Sequence, residues 1–199
     1  MPLVLELFKG TGSWGKVFKK AGYKVISHDI EEKFNPSIVG NILNLDHTKL
    51  PVPDVIVASP PCNSFSNLAY AARSRDAETM RPLKPQAVLG DKILAKTIQI
   101  IKYFLAKNPK LKFVIENPHG TMWRSPIMKR LRHSRALTHY NLYGDERRKP
   151  TDFFNNFNLQ LKDPHDYPSK KPTKLVVDLP LCERYKIPGK LIKSIVKQI

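Results

Sequence analysis

The sequence is poor in cysteine and lacks the run of roughly 18 apolar residues that a membrane span requires. Its two cysteines, Cys62 and Cys182, are too few for a disulfide framework or a cysteine-rich zinc site, so a reducing, intracellular location is expected. The six histidines lack metal-ligand spacing, and no metal site is expected. The first residues, Met1 to Glu6, are typical of a strand and not of a secretory leader. We therefore expect neither secretion nor membrane attachment.

Acidic residues are also scarce, with 17 Asp and Glu against 34 Lys and Arg, which gives a formal net charge of +17. A surplus of this size favours a polyanionic partner, nucleic acid, over a surface that is basic only for solubility. The basic residues cluster in three stretches: Arg124, Lys129, Arg130, Arg132 and Arg135; Arg147, Arg148 and Lys149; and Lys170, Lys171 and Lys174.

Apolar strands alternate with helical patterns, which predicts one α/β domain over residues 1–199. Strands are predicted at 3–8, 25–29, 55–58, 112–115, 137–141 and 151–154, with a short third strand ending near Asn41. Helices are predicted after Gly12, from about 86 to 106, over 125–131, and from Arg184 to Ile199. Residues 67–85 are interpreted as a mobile loop above the site, and 158–174 as a Pro- and Lys-rich loop.

A glycine-rich turn follows the first strand, where Gly10, Gly12 and Gly15 have the spacing G-x-G-x-x-G. Such glycines let the backbone approach a nucleotide-like ligand closely, and Asp29, at the end of the second strand, could accept hydrogen bonds from ribose hydroxyls. The pattern fits NAD, FAD or S-adenosylmethionine equally, and a purely structural turn is the alternative.

Cys62 follows the strand 55–58 after Pro60 and Pro61, at the edge where open α/β sheets bind their ligands. Glu116 ends the next long strand and is expected at the same edge. A thiol and a carboxylate in these positions suit a nucleophile and an acid, although a buried structural cysteine and a capping carboxylate are the simpler alternatives. A helix amino terminus beyond Cys62 and nearby basic charge are expected to lower the pKa of the thiol.

Taken in order, these features resemble the cytosine-C5 methyltransferases over nearly the whole chain. The stretch Glu6 to Gly12 is similar to the first motif of that family, and Pro61-Cys62-Asn63-Ser64-Phe65-Ser66 to its Pro-Cys-Gln-x-Phe-Ser nucleophile motif. Glu116-Asn117-Pro118 resembles Glu-Asn-Val, and 184–191 resembles the carboxy-terminal segment that packs near the cofactor. The stretch Lys149-Pro150-Thr151 and the short length resemble compact viral and phage members, and the loop-like residues after Phe154 stand where longer members carry a target-recognition domain.

The resemblance implies a Rossmann-like, three-layer methyltransferase fold with a mostly parallel sheet. It also implies S-adenosylmethionine as cofactor, DNA as partner, and methylation of C5 of a flipped cytosine, with Cys62 adding to C6 and Glu116 acting at N3. The implied cofactor contacts are Phe8, Gly10, Thr11, Gly12, Asp29, Ile30, Asn41, Ile42, Ser59 and Pro60. The implied nucleic-acid contacts are Ser64, Asn117, Arg147, Arg148 and Lys149.

The sequence departs from the family pattern at several positions. Asn41 stands where the family usually has an acid, Asn63 replaces Gln and Pro118 replaces Val. Arg147 and Arg148 lie in the stretch of the Gln-x-Arg-x-Arg element, which is not found. Four alternatives stay open: an amino-methyltransferase, suggested by Ser59-Pro60-Pro61; an RNA cytosine methyltransferase; an inactive nucleic-acid-binding module; and a dinucleotide-dependent oxidoreductase, which would leave Cys62 and Glu116 without a role.

Overall fold

A computed structural model describes residues 1–163, residue 165 and residues 179–199. The strands of this part of the chain are β1 Leu3–Leu7, β2 Lys24–Asp29, β3 Ile38–Val39, β4 Val55–Ala58, β5 Lys112–Pro118, β6 Ser134–His139 and β7 Pro150–Asn155. Its α-helices are α1 Ser13–Lys20, α2 Asn67–Ala71, α3 Pro85–Lys107, α4 Leu181–Arg184 and α5 Gly189–Val196. The cluster Lys170, Lys171 and Lys174 and most of the predicted loop 158–174 lie outside the described residues.

The strands form one seven-stranded sheet in the order β3-β2-β1-β4-β5-β7-β6. The pairs β2–β3, β1–β2, β1–β4 and β4–β5 are parallel, whereas β7 is antiparallel to both of its neighbours, β5 and β6. Because parallel strands run the same way, the carboxyl ends of β1, β2, β4 and β5 lie along one edge. The predicted α/β class and mostly parallel sheet are confirmed.

Helices cover both faces of the sheet, which gives the expected three layers. Side chains of successive strand residues point to opposite faces, so in β4 Val57 packs with the α1 and α5 residues Phe18 and Ile195. On the other face Ile56 packs with Phe104 of α3. None of the described helices combines the length and the apolar surface that crossing a bilayer requires.

Helix α3 lies within a residue of its predicted bounds at each end, because two sequence signals fix it. Pro85 occupies its first turn, where a missing N–H costs nothing, and Leu94, Ile98, Ile101 and Phe104 recur at helical spacing and are buried. The strand predictions are likewise confirmed, with small shifts of their ends.

The interpretation of residues 67–85 as a loop holds for most of 72–84 but is wrong for the first part of the segment, which is helical. The segment contains α2, and the side chain of Arg75 is buried within it. This guanidinium donates to the carbonyls of Ser64 (2.9 Å), Met80 (3.2 Å) and Ala87 (3.2 Å) and pairs with Asp91 (2.8 Å). Because this segment packs around a buried arginine and not around regularly spaced apolar residues, its sequence shows no helical or strand periodicity and therefore indicated a loop.

Two predicted helices are shorter than expected. The stretch 125–131 contains only a 3-10 turn at Met128–Arg130. The final helix begins at Gly189 and not at Arg184, because a residue that precedes a proline, here Ile187, disfavours helical backbone.

Candidate active site

A cavity of about 350 Å³ opens at the carboxyl edge of the sheet. Its volume falls in the range of small-molecule sites. The residues that line it are Phe8, Lys9, Gly10, Ser13 and Trp14 after β1; Asp29, Ile30, Glu31 and Phe34 after β2; Ser59, Pro60, Pro61, Cys62 and Asn63 after β4; Glu116 and Pro118 of β5; and Lys149, Tyr185 and Ile187. Nine of the predicted site residues are among them: Phe8, Gly10, Asp29, Ile30, Ser59, Pro60, Cys62, Glu116 and Lys149.

The turn between β1 and α1 has an unusual backbone. Phe8, Gly10 and Gly12 adopt positive φ angles of 60°, 47° and 70°. Glycine accepts this left-handed region at little cost, whereas an aromatic residue there is strained, a feature that concentrates at ligand sites. Asp29 fixes the turn, since its Oδ2 accepts from the Gly10 N–H at 2.7 Å and its Oδ1 from the Glu31 N–H at 2.9 Å.

The residues at this end of the cavity fit a nucleoside-bearing cofactor. The Asp29 carboxylate lies at the cavity wall, where it can accept hydrogen bonds from ribose hydroxyls. Phe8 offers an apolar ring, and Ile30 leaves 62% of its surface exposed at the edge of the cavity. A carboxylate, an aromatic ring and an aliphatic side chain that line one cavity are groups that can bind an adenosine moiety.

Four predicted cofactor residues do not line the cavity. Thr11 hydrogen-bonds Ser13 through its hydroxyl at 3.1 Å, and Gly12 caps α1. Asn41 caps a 3-10 turn by accepting from the Leu43 N–H at 3.0 Å, and Ile42 is buried in the core beside α3. In this structure Thr11, Asn41 and Ile42 bond or pack within the fold, so these residues stay predicted and not observed contacts.

Glu6 lies directly beneath the glycine-rich turn. Its Oε1 accepts from the Gly15 N–H at 3.1 Å, while its Oε2 is buried without a hydrogen-bond partner. Burial raises the pKa of this carboxyl from 4.5 to about 7, the Gly15 hydrogen bond being the main opposing influence. The carboxyl is therefore half protonated near neutral pH.

Cys62 begins a 3-10 turn that follows two prolines after β4. The Asn117 side chain donates to the Pro60 carbonyl at 2.9 Å, which ties the end of β5 to the chain just before Cys62. The Cys62 carbonyl accepts from the N–H groups of Phe65 (3.0 Å) and Ser66 (2.9 Å). These bonds fix the backbone on both sides of a half-buried free thiol.

The expectation of a lowered thiol pKa is wrong for the free protein. Burial raises the pKa of the Cys62 thiol above its ordinary value; the Lys149 ammonium lowers it, and the Glu116 carboxylate raises it. The sequence showed the basic charge but not the burial, which is the larger influence.

Glu116 is held by residues from the far end of the sheet. The Tyr140 hydroxyl donates to Glu116 Oε1 at 3.0 Å, and the Lys149 ammonium lies 3.8 Å from the same oxygen. Tyr140 is fully buried, and desolvation followed by the Glu116 charge raises the pKa of its phenol well above 10, so it stays a donor. Sequence reasoning missed Tyr140, because only the antiparallel pairing of β7 with β5 and β6 brings it to Glu116.

Three of the predicted nucleic-acid contacts are buried in this structure. Ser64 and Asn117 are buried, with 1% and 0% of their surface exposed. Arg147 is also buried: it pairs with Asp145 and donates to the carbonyls of Glu183 and Lys186. Arg148 is exposed, and Lys149 lines the cavity.

The carboxy-terminal segment closes one side of the cavity, as the family resemblance implied. Tyr185 and Ile187 line it, and the Ile187 N–H donates to the Ser13 hydroxyl at 3.1 Å.

Among the described residues no group of three or more His, Cys, Asp or Glu side chains is arranged to hold a metal ion.

Comparison with proteins of known structure shows the fold. A putative DNA modification methyltransferase encoded within an E. coli prophage matches with a TM-score of 0.53 at 16% identity, over 91% of this chain and 56% of its own. The Entamoeba histolytica methyltransferase EhMeth matches with 0.54 at 14% identity, over 81% and 56%. Dnmt2 of S. pombe matches with 0.51 at 16%, over 91% and 61%.

Comparison of sequences shows the family. A probable DNA (cytosine-5)-methyltransferase of frog virus 3 (isolate Goorha) is 32% identical over 121 residues, which are 58% of this chain and 53% of the relative. The match thus spans about half the length of that relative. Residues 4–124, which include Cys62 and Glu116, match the model of the C-5 cytosine-specific DNA methylases. Because that match covers more than half of the chain, the protein belongs to the C-5 cytosine-specific DNA methylase family.

Proposed function

We propose that this protein methylates C5 of cytosine in DNA, with S-adenosylmethionine as methyl donor and a covalent intermediate on Cys62. One observation carries the proposal: Cys62 and Glu116, from adjacent parallel strands, line the same cavity as Phe8, Gly10 and Asp29. A nucleophile and an acid therefore share a space with a nucleoside-compatible surface. Family membership supports the same reaction.

The cofactor would be held at the β1 and β2 side of the cavity. Asp29 would accept from the ribose hydroxyls, Phe8 and Ile30 would contact the adenine, and the Gly10 turn would admit the rest of the molecule close to its backbone. Ser59 and Pro60 line the cavity between this region and Cys62. When bound, S-adenosylmethionine supplies an electrophilic methyl group.

The reaction needs Cys62 because cytosine C5 is a poor nucleophile. A thiolate sulfur that bonds to C6 pushes the electrons of the C5–C6 double bond towards C5, which makes that carbon nucleophilic. After C5 is methylated, a base removes the C5 proton; the electrons of that C–H bond restore the C5–C6 double bond, and the C6–S bond breaks to release the Cys62 thiolate. Cys62 is thus regenerated in each turnover.

Protonated Glu116 would serve as the acid in this addition, and Lys149 would supply the positive charge that favours the thiolate. A hydrogen bond from an acid to N3 makes the ring a better acceptor, and Glu116 is oriented for that role by Tyr140. Lys149, the residue whose charge opposes the raised pKa of Cys62, stabilises the thiolate form. Its ammonium is fixed by a hydrogen bond to the Arg184 carbonyl at 3.2 Å.

DNA must deliver its base into the cavity, because C6 cannot be attacked inside the base stack. The net charge of +17 favours binding to the phosphate backbone. We expect the DNA affinity to fall steeply with salt, by a slope of about 0.9 for each phosphate neutralised.

The test is mass-spectrometric nucleoside analysis of DNA and RNA after incubation with isotopically labelled S-adenosylmethionine. The wild type should produce 5-methylcytosine in DNA, Cys62→Ser should produce none, and Cys182→Ser, the matched control, should keep its activity. The wild type should also form a denaturation-resistant adduct with DNA that contains 5-fluorocytosine, because fluorine cannot leave C5 as a proton does. N4-methylcytosine as product, label in RNA alone, or full activity in Cys62→Ser would refute the proposal.

A further inference from the structure

Trp123 is exposed although tryptophan is among the residues that proteins bury most. It leaves 46% of its surface exposed, whereas the other tryptophan, Trp14, leaves 3%. Tryptophan is enriched at interfaces, because it combines a large apolar ring with a polar N–H.

A charged cluster supports the indole ring. The Arg135 guanidinium carbon lies 5.1 Å from the centre of the Trp123 ring. Arg135 Nε donates to Oδ1 of Asp152 at 2.9 Å, and this carboxylate is almost fully buried. His119 Nδ1 lies 3.2 Å from both oxygens of Asp152 and 3.0 Å from Arg135 Nη2. A buried carboxylate thus orients the guanidinium, and the guanidinium stacks on the indole.

The segment that carries Trp123 is also joined to the nucleophile turn. The N–H and the hydroxyl of Thr121 donate to the Phe65 carbonyl at 2.8 and 3.1 Å. The Phe65 N–H in turn donates to the Cys62 carbonyl at 3.0 Å, and Gly120 forms a bridge with Ser66. These contacts place the segment that carries Trp123 against the turn that follows Cys62, although Trp123 itself does not line the cavity.

The surface around Trp123 carries positive charge. No acidic residue occurs from 117 to 135, a stretch that contains Arg124, Lys129, Arg130, Arg132 and Arg135. Of these, Lys129, Arg130, Arg132 and Arg135 are exposed. The surface is complementary to phosphate, and an exposed aromatic ring among basic side chains is the arrangement that binds unstacked bases.

We propose that Trp123 is a base-stacking contact beside the cavity, which binds the DNA strand next to the flipped cytosine and which Arg135 and Asp152 hold in position. The inference rests on the proposed function, because it takes DNA as the substrate. Flipping removes one base from the stack and leaves its neighbours with an uncovered face. An indole fixed next to the nucleophile turn covers such a face and favours the flipped state.

The test uses a cytosine-containing DNA duplex and the variants Trp123→Leu and Trp123→Phe. Leucine keeps an apolar side chain but has no aromatic face, whereas phenylalanine keeps a face on which a base can stack. We expect Trp123→Leu to weaken duplex binding by about five- to 150-fold and Trp123→Phe to bind within a fewfold of the wild type. The slope of affinity against salt should be the same in all three proteins, because an indole neutralises no phosphate.

Intrinsic fluorescence gives a second readout that does not depend on turnover. DNA should quench the fluorescence of the wild type, and the part due to stacking should be absent in Trp123→Phe, which retains only Trp14. Equal affinity in wild type and Trp123→Leu, or equal quenching in wild type and Trp123→Phe, would overturn the inference. If the wild type methylates DNA and Trp123→Leu matches its KM, this inference fails while the proposed function stands. If DNA quenches the fluorescence of Trp123 but no methyl group is transferred, the proposed methylation fails while the stacking contact stands.

Discussion

The guanidinium carbon of Arg75 lies 4.2 Å from the centre of the Phe65 ring, under the turn that carries Cys62. The same guanidinium bonds three backbone carbonyls, one of which, that of Ser64, belongs to this turn. A planar, five-donor group that is packed against a ring and hydrogen-bonded along its edge holds its partners at fixed positions. Arg75 is thus a structural support for the nucleophile.

Replacement of Arg75 should lower the free energy of unfolding by more than the loss of its ion pair with Asp91 alone. We expect Arg75→Met to lower the free energy of unfolding by about 3–5 kcal/mol, because it leaves buried carbonyls and a carboxylate without their donor. Asp91→Asn removes only the charge of the partner and keeps an oxygen near the guanidinium, so its cost should be smaller. Chemical denaturation measures both values. Equal losses in the two variants would show that the ion pair, and not the carbonyl contacts, carries the effect.

Gly90 should not tolerate the substitution that normally stabilises a helix. A Cβ at this position would come within 2.8 Å of Ser64 Cβ and closer still to its hydroxyl. Gly90→Ala should therefore lower the free energy of unfolding by about 1–3 kcal/mol. In an unobstructed helix interior the same substitution would stabilise the helix by about 1 kcal/mol. The double variant Gly90→Ala with Ser64→Gly should recover most of this loss in a double-mutant cycle of denaturation measurements.

A matched control for this prediction is Gly189→Ala in α5. An added Cβ there would meet no atom within 4 Å. We expect the free energy of unfolding to change by less than about 1 kcal/mol. A loss as large as that of Gly90→Ala would argue against steric contact as the cause.

The reactivity of Cys62 should respond in opposite directions to its two charged neighbours. Lys149 lowers the pKa of the thiol and Glu116 raises it, while burial keeps it above its ordinary value. Lys149→Met should therefore raise the pKa of Cys62 further, and Glu116→Gln should lower it. The pH dependence of alkylation by iodoacetamide, in a Cys182→Ser background, measures both shifts. Shifts of the same sign in both variants would contradict the electrostatic account.

Glu6 should make the protein less stable as the pH rises towards neutrality. Its pKa is about 7 in the folded protein against an ordinary 4.5, so between these values the folded state binds more protons than the unfolded one. The stability due to protonated Glu6 is complete below pH 4.5 and is lost as the pH passes through 7, a loss of roughly 3 kcal/mol.

Glu6→Gln removes this titration while keeping the size of the side chain and an oxygen for the Gly15 N–H. The wild type should lose stability relative to Glu6→Gln between pH 5 and pH 8, as measured by urea unfolding at each pH. A constant difference between the two proteins across this range would show that Glu6 does not titrate there.

The layout of the site was predictable because strand ends are marked in the sequence. The short apolar run 55–58 stops at two prolines, and the first strand stops at a glycine-rich turn. Once the strands are parallel, Asp29, Cys62 and Glu116 must share an edge. The family motifs gave the same three residues independently.

Other features depend on partners that no local pattern reveals. Tyr140 reaches Glu116 only because β7 enters the sheet between β5 and β6. Arg75 lies in a segment whose composition is typical of a surface loop. Its side chain can be buried only because carbonyls from separate segments accept its hydrogen bonds. The raised pKa of Cys62 depends on the extent of its burial, which residue types alone do not give.

The insertion of β7 between β5 and β6 also sets an order of events during synthesis. Chains leave the ribosome from the amino terminus, so Cys62 and Glu116 emerge before Tyr140 and Lys149. Among the described strands, β6 pairs with β7 alone, so it joins the sheet only after β7 has been made. Until then β5 presents an unpaired edge, and the nucleophile lacks the lysine that favours its thiolate. Lys149 immediately precedes β7, so the charge that favours the Cys62 thiolate reaches the site only when β7 has joined the sheet.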